Sequence, residues 1–379
     1  MIVLCAQKTV AANGVYDAHA DGGEGYVAFK VVVPTDDAEM LSKMAGTKPS
    51  TIINHQIKRI TSHYYEKCQG VRMVDCANVK EIGERAFLNC SNLTFARFST
   101  CSDIGSSAFQ SCSSLVNAVF PVCETVHDNA FELCTSLANI DFINCKTIGK
   151  SAFADCRNLV AIDISKCINI SDFAFASCSQ LQLMSAPSCI TVGSNAFGGC
   201  KLLSVANFPN CTLIGDYAFG ICHSLLSATF PLCSSVGWSA FVNCSNLNSI
   251  SLPVCTTVGG HAFVNCVGLS SVSFPEVVRI QASTFVNCVN LSLVCLPQCS
   301  FIDERAFSSC WRLLSVYLLA SSVCHMHPAY ANVFSNTPVT GYTEYTNGQY
   351  GSIYVPASLH SEYAQIFSTI SERIVPLVE

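Results

Sequence analysis

Apolar and polar positions recur with a period of 22 residues along most of this chain. Residues 203–224 carry the phrase nearly whole: Leu203, the alternation of Ala206 and Phe208 around Asn207, then Pro209, Cys211, Ile214-Gly215, Ala218-Phe219 and Cys222. The alternation predicts a short strand with Ala206 and Phe208 facing inward and Asn207 outward, closed by Pro209. Ile214-Gly215 marks the opposite corner, where glycine is expected to supply a backbone conformation that other residues resist. Phenylalanine holds one register at Phe87, Phe109, Phe131, Phe153, Phe175, Phe197, Phe219, Phe241, Phe263, Phe285 and Phe307, each followed three residues on by cysteine and six on by leucine. Such self-similarity is the signature of a repeat solenoid, in which each coil buries its apolar side only against its neighbours. The expected architecture is mainly β, with a parallel sheet along one face, short turns, and a ladder of inward phenyl rings.

The ends depart from the period. Residues 1–45 predict a β hairpin turning at Asn13-Gly14, then a linker helix opened by Asp36-Asp37-Ala38-Glu39. Residues 46–81 read as a capping region with a degenerate repeat, Tyr65 standing where phenylalanine would be, and residues 82–323 as the array. Residues 324–379 read as a hairpin-helix cap. Its two strands flank Asn347-Gly348, and a helix over residues 357–372 lays Leu359, Tyr363, Ile366, Phe367 and Ile370 on the last coil.

Composition narrows the function classes. Half of the 379 residues are hydrophobic and only 12% are charged, with a net charge of −6. The thin charge and the lack of any basic run disfavour nucleic acid as a partner. Ser, Asn, Gly and Pro break every apolar run before it reaches membrane-spanning length. The first residues carry no recognisable export signal, and a monomer is expected. Twenty-five cysteines would suit a disulfide scaffold, but most follow the packing period. Eleven sit three residues after the ladder phenylalanine, and Cys101, Cys123, Cys145, Cys167, Cys189, Cys211, Cys233, Cys255 and Cys299 form a second ladder, so reduced structural thiols are expected.

Candidate chemistry is sparse. Asp141 and Asp163, 22 residues apart, are expected side by side on the outward strand face, the arrangement in which two acids share a proton, though no third polar group supports it. The cluster Cys324-His325-Met326-His327 fits no zinc spacing, and neither a metal nor a cofactor is expected. His127 and His261 have no partner that the period brings near. Asn89 and Asn243 make apparent glycosylation sequons, but Asn265 and Asn287 share their register, which points to a corner role. The outward positions Asp141, Asp163, Ser185, Asn207 and Thr229, with Trp238 at a variable outward position, make the candidate binding face.

The units, with Leu-x-x-Ala/Ile/Val-x-Phe-Pro, Ile/Val-Gly and Ala-Phe-x-x-Cys, resemble the BspA-type leucine-rich repeat family over about two thirds of the chain. That resemblance implies a right-handed solenoid used for adhesion on bacterial or protist surfaces, with no catalytic residues. Departures are few: Val277 replaces a second-ladder cysteine, Thr284 an alanine, and His127, Ser171, Gln281 and Asp303 the corner glycine. The two terminal segments resemble modules of Firmicutes prophage and surface proteins. The expected function is a non-enzymatic, extracellular or cell-surface module that binds a protein or glycan; the alternative is a phage virion component.

Overall fold

The alternating stretch of each coil becomes a three-residue strand, and the Ile/Val-Gly stretch becomes a second strand of two residues. Val205–Asn207 pairs in parallel with Ser227–Thr229, and Leu213–Ile214 pairs in parallel with Ser235–Val236, residue i facing residue i+22. The computed structural model describes residues 50–326 and 330–377, and these build a parallel β-solenoid with two ladders where the sequence predicted one. The predicted hairpin and linker helix of residues 1–45 lie outside the described residues.

The third side of the coil has no strands, yet it is bonded as regularly. Residues two before and two after each ladder phenylalanine take left-handed backbone angles, as Tyr217 (φ 55°) and Ile221 (φ 63°) do around Phe219. Alternating right- and left-handed residues turn the amides of Tyr217, Phe219 and Ile221 in one direction. Their N–H groups donate to the carbonyls of Trp238, Ala240 and Val242 one coil on, at 2.8–2.9 Å. The left-handed angle costs about 1–2 kcal/mol per non-glycine residue, and the bonds it permits offset that cost.

The corner glycine turns out to serve a different need from the one expected. Gly215 has no left-handed φ; instead, a Cβ there would sit 2.5 Å from the Ser194 amide nitrogen and 2.6 Å from the Gly193 carbonyl carbon. At Gly215 the successive backbones approach too closely for a side chain, whereas the coils with His127, Ser171, Gln281 and Asp303 at this position admit one.

The coils cluster into two compact units: residues up to Cys167 with Ser177–Ser185, and Ile168–Ala176 with Ala186 onward. In the first unit, Phe87, Phe109, Phe131 and Phe153 stack with centroids 5.0–5.3 Å apart and nearly parallel planes. In the second, Phe175, Phe197 and Phe219 stack at 5.3 Å, and the column runs on to Phe307 and Phe334. Every ring of this column from Phe87 to Phe307 is fully buried. A second column, with Phe98 and Phe120 in one unit and Phe208 and Phe230 in the other, meets the first edge-on. Side-chain volume is traded between strand and column. Ala96, Ala118, Ala206 and Ala228 precede a phenylalanine two residues on, whereas Ile162 precedes Ile164 and Val294 precedes Leu296. Such trades hold the packing density of a coil constant.

One coil of the first unit breaks the trade. Ile140 precedes Phe142, both large, and Ile140 is only half buried. Asn139–Asp141 is the last strand of its five-stranded sheet, and Ala161–Asp163 starts a separate pair with Leu183–Ser185.

The C-terminal residues correct two expectations. Residues 342–346 do not form a hairpin strand: Glu344–Thr346 is a 3₁₀ turn, with Asn347 in the left-handed region after it. Ser352–Pro356 joins Ser315–Leu318 in parallel, and Ile374–Leu377 adds one more parallel strand. The crossover between those two strands carries the helix, so a two-residue hairpin turn has nothing to connect. The helix itself is shorter than predicted. Only His360–Ile366 is α-helical, flanked by 3₁₀ turns, because Phe367 leaves helical geometry at φ −102°, ψ 46°. Tyr363 and Phe367 are fully buried, but Ile366 stays 41% exposed.

Candidate functional site

The coil consumes most of its polar chemistry internally. Ladder thiols donate to backbone, Cys222 Sγ to the Phe197 carbonyl at 3.2 Å and Cys244 Sγ to that of Phe219 at 3.1 Å. Burial pushes the Cys244 thiol up to about 12 and the Cys255 thiol up to about 11, values at which a nucleophilic thiolate is scarce. Every described cysteine is free, and all but Cys295 are buried. At the corner, Asn287 Nδ2 donates to Asn265 Oδ1 at 2.8 Å, and Asn265 Nδ2 donates to Asn243 Oδ1 at 2.7 Å. The register of these asparagines is thus an amide ladder, and the left-handed φ of 60° that all three adopt is one asparagine tolerates.

The acidic residues are engaged too. Asp216 Oδ1 accepts the Trp238 backbone N–H at 2.7 Å, as Asp172 Oδ1 does for Ser194. Asp163 Oδ1 turns back to the Ser165 N–H at 2.9 Å. Asp141 and Asp163 are both exposed, and no ladder pairing joins their strands among the described residues. Asp163 instead sits in register with Ser185. Among the described residues no group of three or more His, Cys, Asp or Glu is placed to hold a metal, and no helix is long and apolar enough to cross a membrane.

Two surface features remain once these internal uses are set aside. In the first unit, the break after Asn139–Asp141 leaves a shallow hollow of about 320 Å³ lined by Ile140, Ala161, Ile162, Asp163, Leu183, Met184 and Ser185. Leu183 at its edge is 65% exposed. The small, polar outward face predicted from sequence therefore holds only in its second column, since the column two residues earlier carries Leu183 here and Val205 in the second unit, where Asn207 and Thr229 are exposed neighbours.

The second feature lies on the strandless side of the second unit. The Tyr217 and Trp238 rings meet edge to face at 5.1 Å, and Trp238 meets the His261 ring at 5.3 Å. Three rings from successive coils thus form one run, with Tyr217 38% and Trp238 44% exposed. Gly260 lies against Trp238, where a Cβ would come 3.5 Å from its Cδ1. From sequence Trp238 stood alone and His261 had no partner; both readings are corrected. These three rings meet across 21 and 23 positions, not 22, because they come from adjacent registers of the turn. An offset of 24, also outside the period, pairs His127 with Asp103, Nε2 to Oδ2 at 3.3 Å. Searching for aromatics one position either side of the period would have found the run.

The sequence matches the family model described as BspA type leucine rich repeat region over residues 47–160, 102–226 and 212–338. No curated protein matches it. A solved leucine-rich repeat protein from Bacteroides ovatus is 22% identical, covers 98% of this chain and 100% of its own, and superposes with a TM-score of 0.54. A leucine-rich repeat protein from Eubacterium ventriosum, 18% identical, covers 79% of this chain and 87% of its own with a TM-score of 0.44. A leucine rich cell surface protein from Faecalibacterium prausnitzii, 21% identical, covers 77% and 91% with a TM-score of 0.38. Because the matched stretches together run from residue 47 to residue 338 of 379, on a solenoid with that repeat, this chain belongs to the BspA-type leucine-rich repeat family.

Proposed function

We propose that the chain is a non-enzymatic binding module acting at a cell surface or outside the cell, with its partner, a protein or a glycan, seated on the ring run of the second unit. The Tyr217–Trp238–His261 run carries this reading. Its positions hold small or polar residues in most other coils, such as Ser106 and Ser107 or Ser194 and Asn195, so the fold has no need of rings there. Ring-to-ring contact fixes the side chains before anything binds, which lowers the entropy lost on association. The exposed faces suit the C–H face of a sugar ring or an apolar protein side chain, and large aromatics are the side chains that most often dominate such contacts.

The test is a glycan array and a panel of purified surface proteins probed with the intact chain. Binding is then followed by tryptophan emission in a Trp311→Phe background. The reading expects a partner whose binding shifts the Trp238 emission and weakens about tenfold or more in Trp238→Ala, the loss typical of an aromatic hot spot. A partner bound equally well by Trp238→Ala and Tyr217→Ala would place the contact elsewhere, the hollow at Leu183 being the next surface to vary.

A further inference from the structure

Where the array ends, a cysteine pair joins the last coil to the C-terminal segment. Cys299 belongs to the second ladder, but Val277 replaces the cysteine one coil before it. On its other side stands Cys324, offset by 25 residues, with its Sγ 3.8 Å from the Cys299 Sγ. Both residues are fully buried. The second-ladder thiols give their S–H to the carbonyl two residues on, Cys211 to Leu213 at 3.2 Å and Cys233 to Ser235 at 3.1 Å, as Cys299 does to Phe301 at 3.3 Å. Cys324 Sγ has two acceptors in reach, the sulfur of Cys299 at 3.8 Å and the His325 carbonyl at 3.7 Å. Its backbone is held in place, since the Cys324 N–H donates to the Tyr363 hydroxyl at 2.7 Å, and Tyr363 is itself fully buried in the C-terminal helix.

We propose that Cys299 and Cys324 are a redox pair that closes to a single disulfide when the protein meets peroxide, tying the C-terminal segment to the last coil. Hydrogen bonding from Cys324 holds the Cys299 thiol below its usual value and raises that of Cys324, so Cys299 is the first to act. Its thiolate attacks one oxygen of hydrogen peroxide and the O–O bond breaks. Hydroxide leaves and is protonated to water, and Cys299 becomes a sulfenic acid. Cys324 sulfur then attacks Cys299 sulfur, the S–O bond breaks, and the departing hydroxide takes the Cys324 proton as a second water. Two thiols are oxidised by two electrons and one peroxide is reduced. Peroxide is small enough to enter on slight opening of the segment, whereas thiol-disulfide exchange with a larger disulfide would need the helix to lift.

The experiment treats the full chain with hydrogen peroxide, blocks remaining thiols with iodoacetamide under denaturing conditions, and maps the digest by mass spectrometry. The expected product is one crosslinked peptide joining Cys299 to Cys324, reversed by dithiothreitol, with the other ladder cysteines carbamidomethylated. In Cys324→Ser, the crosslink is lost and dimedone traps a sulfenic acid at Cys299 that is absent from the wild type. Should Cys324→Ser fail to fold, the crosslink map of the wild type decides alone. Equal blocking of Cys299 and Cys324 with and without peroxide, or crosslinks scattered along the ladders, would overturn the proposal.

Discussion

The phenylalanine ladder is the clearest case of a residue whose environment follows from its period. Phe197 is stacked on both faces, 5.3 Å from Phe175 and 5.3 Å from Phe219. Phe197→Ala is expected to cost about 3–5 kcal/mol, the range for a buried phenylalanine that leaves a cavity. Chemical denaturation measures it, and a loss below about 1 kcal/mol would mean the coil collapses onto the gap. Gly215→Ala tests a reason the sequence did not reveal. The expected cost is about 1–3 kcal/mol from backbone displacement at Ser194; a neutral change would mean that the neighbouring backbone yields to a side chain. The thiols make a third prediction. Burial raises their folded-state values, Cys255 to about 11 and Cys101 and Cys244 to about 12, from an ordinary 9.0. The unfolded chain therefore loses its thiol protons first, and stability present below pH 9 is lost progressively as pH rises towards 12. The melting temperature should fall between pH 8 and pH 10.5; a flat profile would show that the thiols are not held neutral by the fold.

At the scale of elements, sequence legibility depended on whether a contact obeys the period. Strand positions and the inward rings were readable because residue i always meets residue i+22. The second ladder at Leu213–Ile214, the left-handed pair around each phenylalanine and the ring run at Trp238 were not readable. The second ladder keeps the 22-residue offset but its strands are two residues long, too short to show an alternation, whereas the left-handed pair and the ring run rest on inter-coil hydrogen bonds and on offsets of 21 or 23. The Asn347-Gly348 turn misled for another reason. A turn signal specifies local angles, and Asn347 does take the left-handed conformation (φ 54°), but the partner of the following strand was fixed by the exposed edge of Ser315–Leu318. Tyr363 anchors that added segment through its hydroxyl. Tyr363→Phe leaves the buried Cys324 N–H without its acceptor and is expected to cost about 1–3 kcal/mol. Hydrogen exchange should show the Cys324 amide losing protection while the array amides keep theirs; unchanged protection would mean the bond contributes nothing to the segment's hold.

For the molecule as a whole, the side chains fall into two sets. Residues that keep the period hold the solenoid together, and residues that break it, Tyr217, Trp238 and His261 foremost, are those proposed above to meet a partner. The last strand, Ile374–Leu377, includes Pro376, which lacks an amide donor and so blunts an edge that would otherwise recruit another strand. The most direct measurement compares melting and partner binding in two variants of the intact protein, Phe197→Ala and Trp238→Ala, using the partner found by array or panel. The account predicts that Phe197→Ala melts well below the wild type, and that Trp238→Ala melts with the wild type but has lost most of its affinity. A Trp238→Ala protein that binds as tightly as the wild type, or that melts as early as Phe197→Ala, would contradict the division.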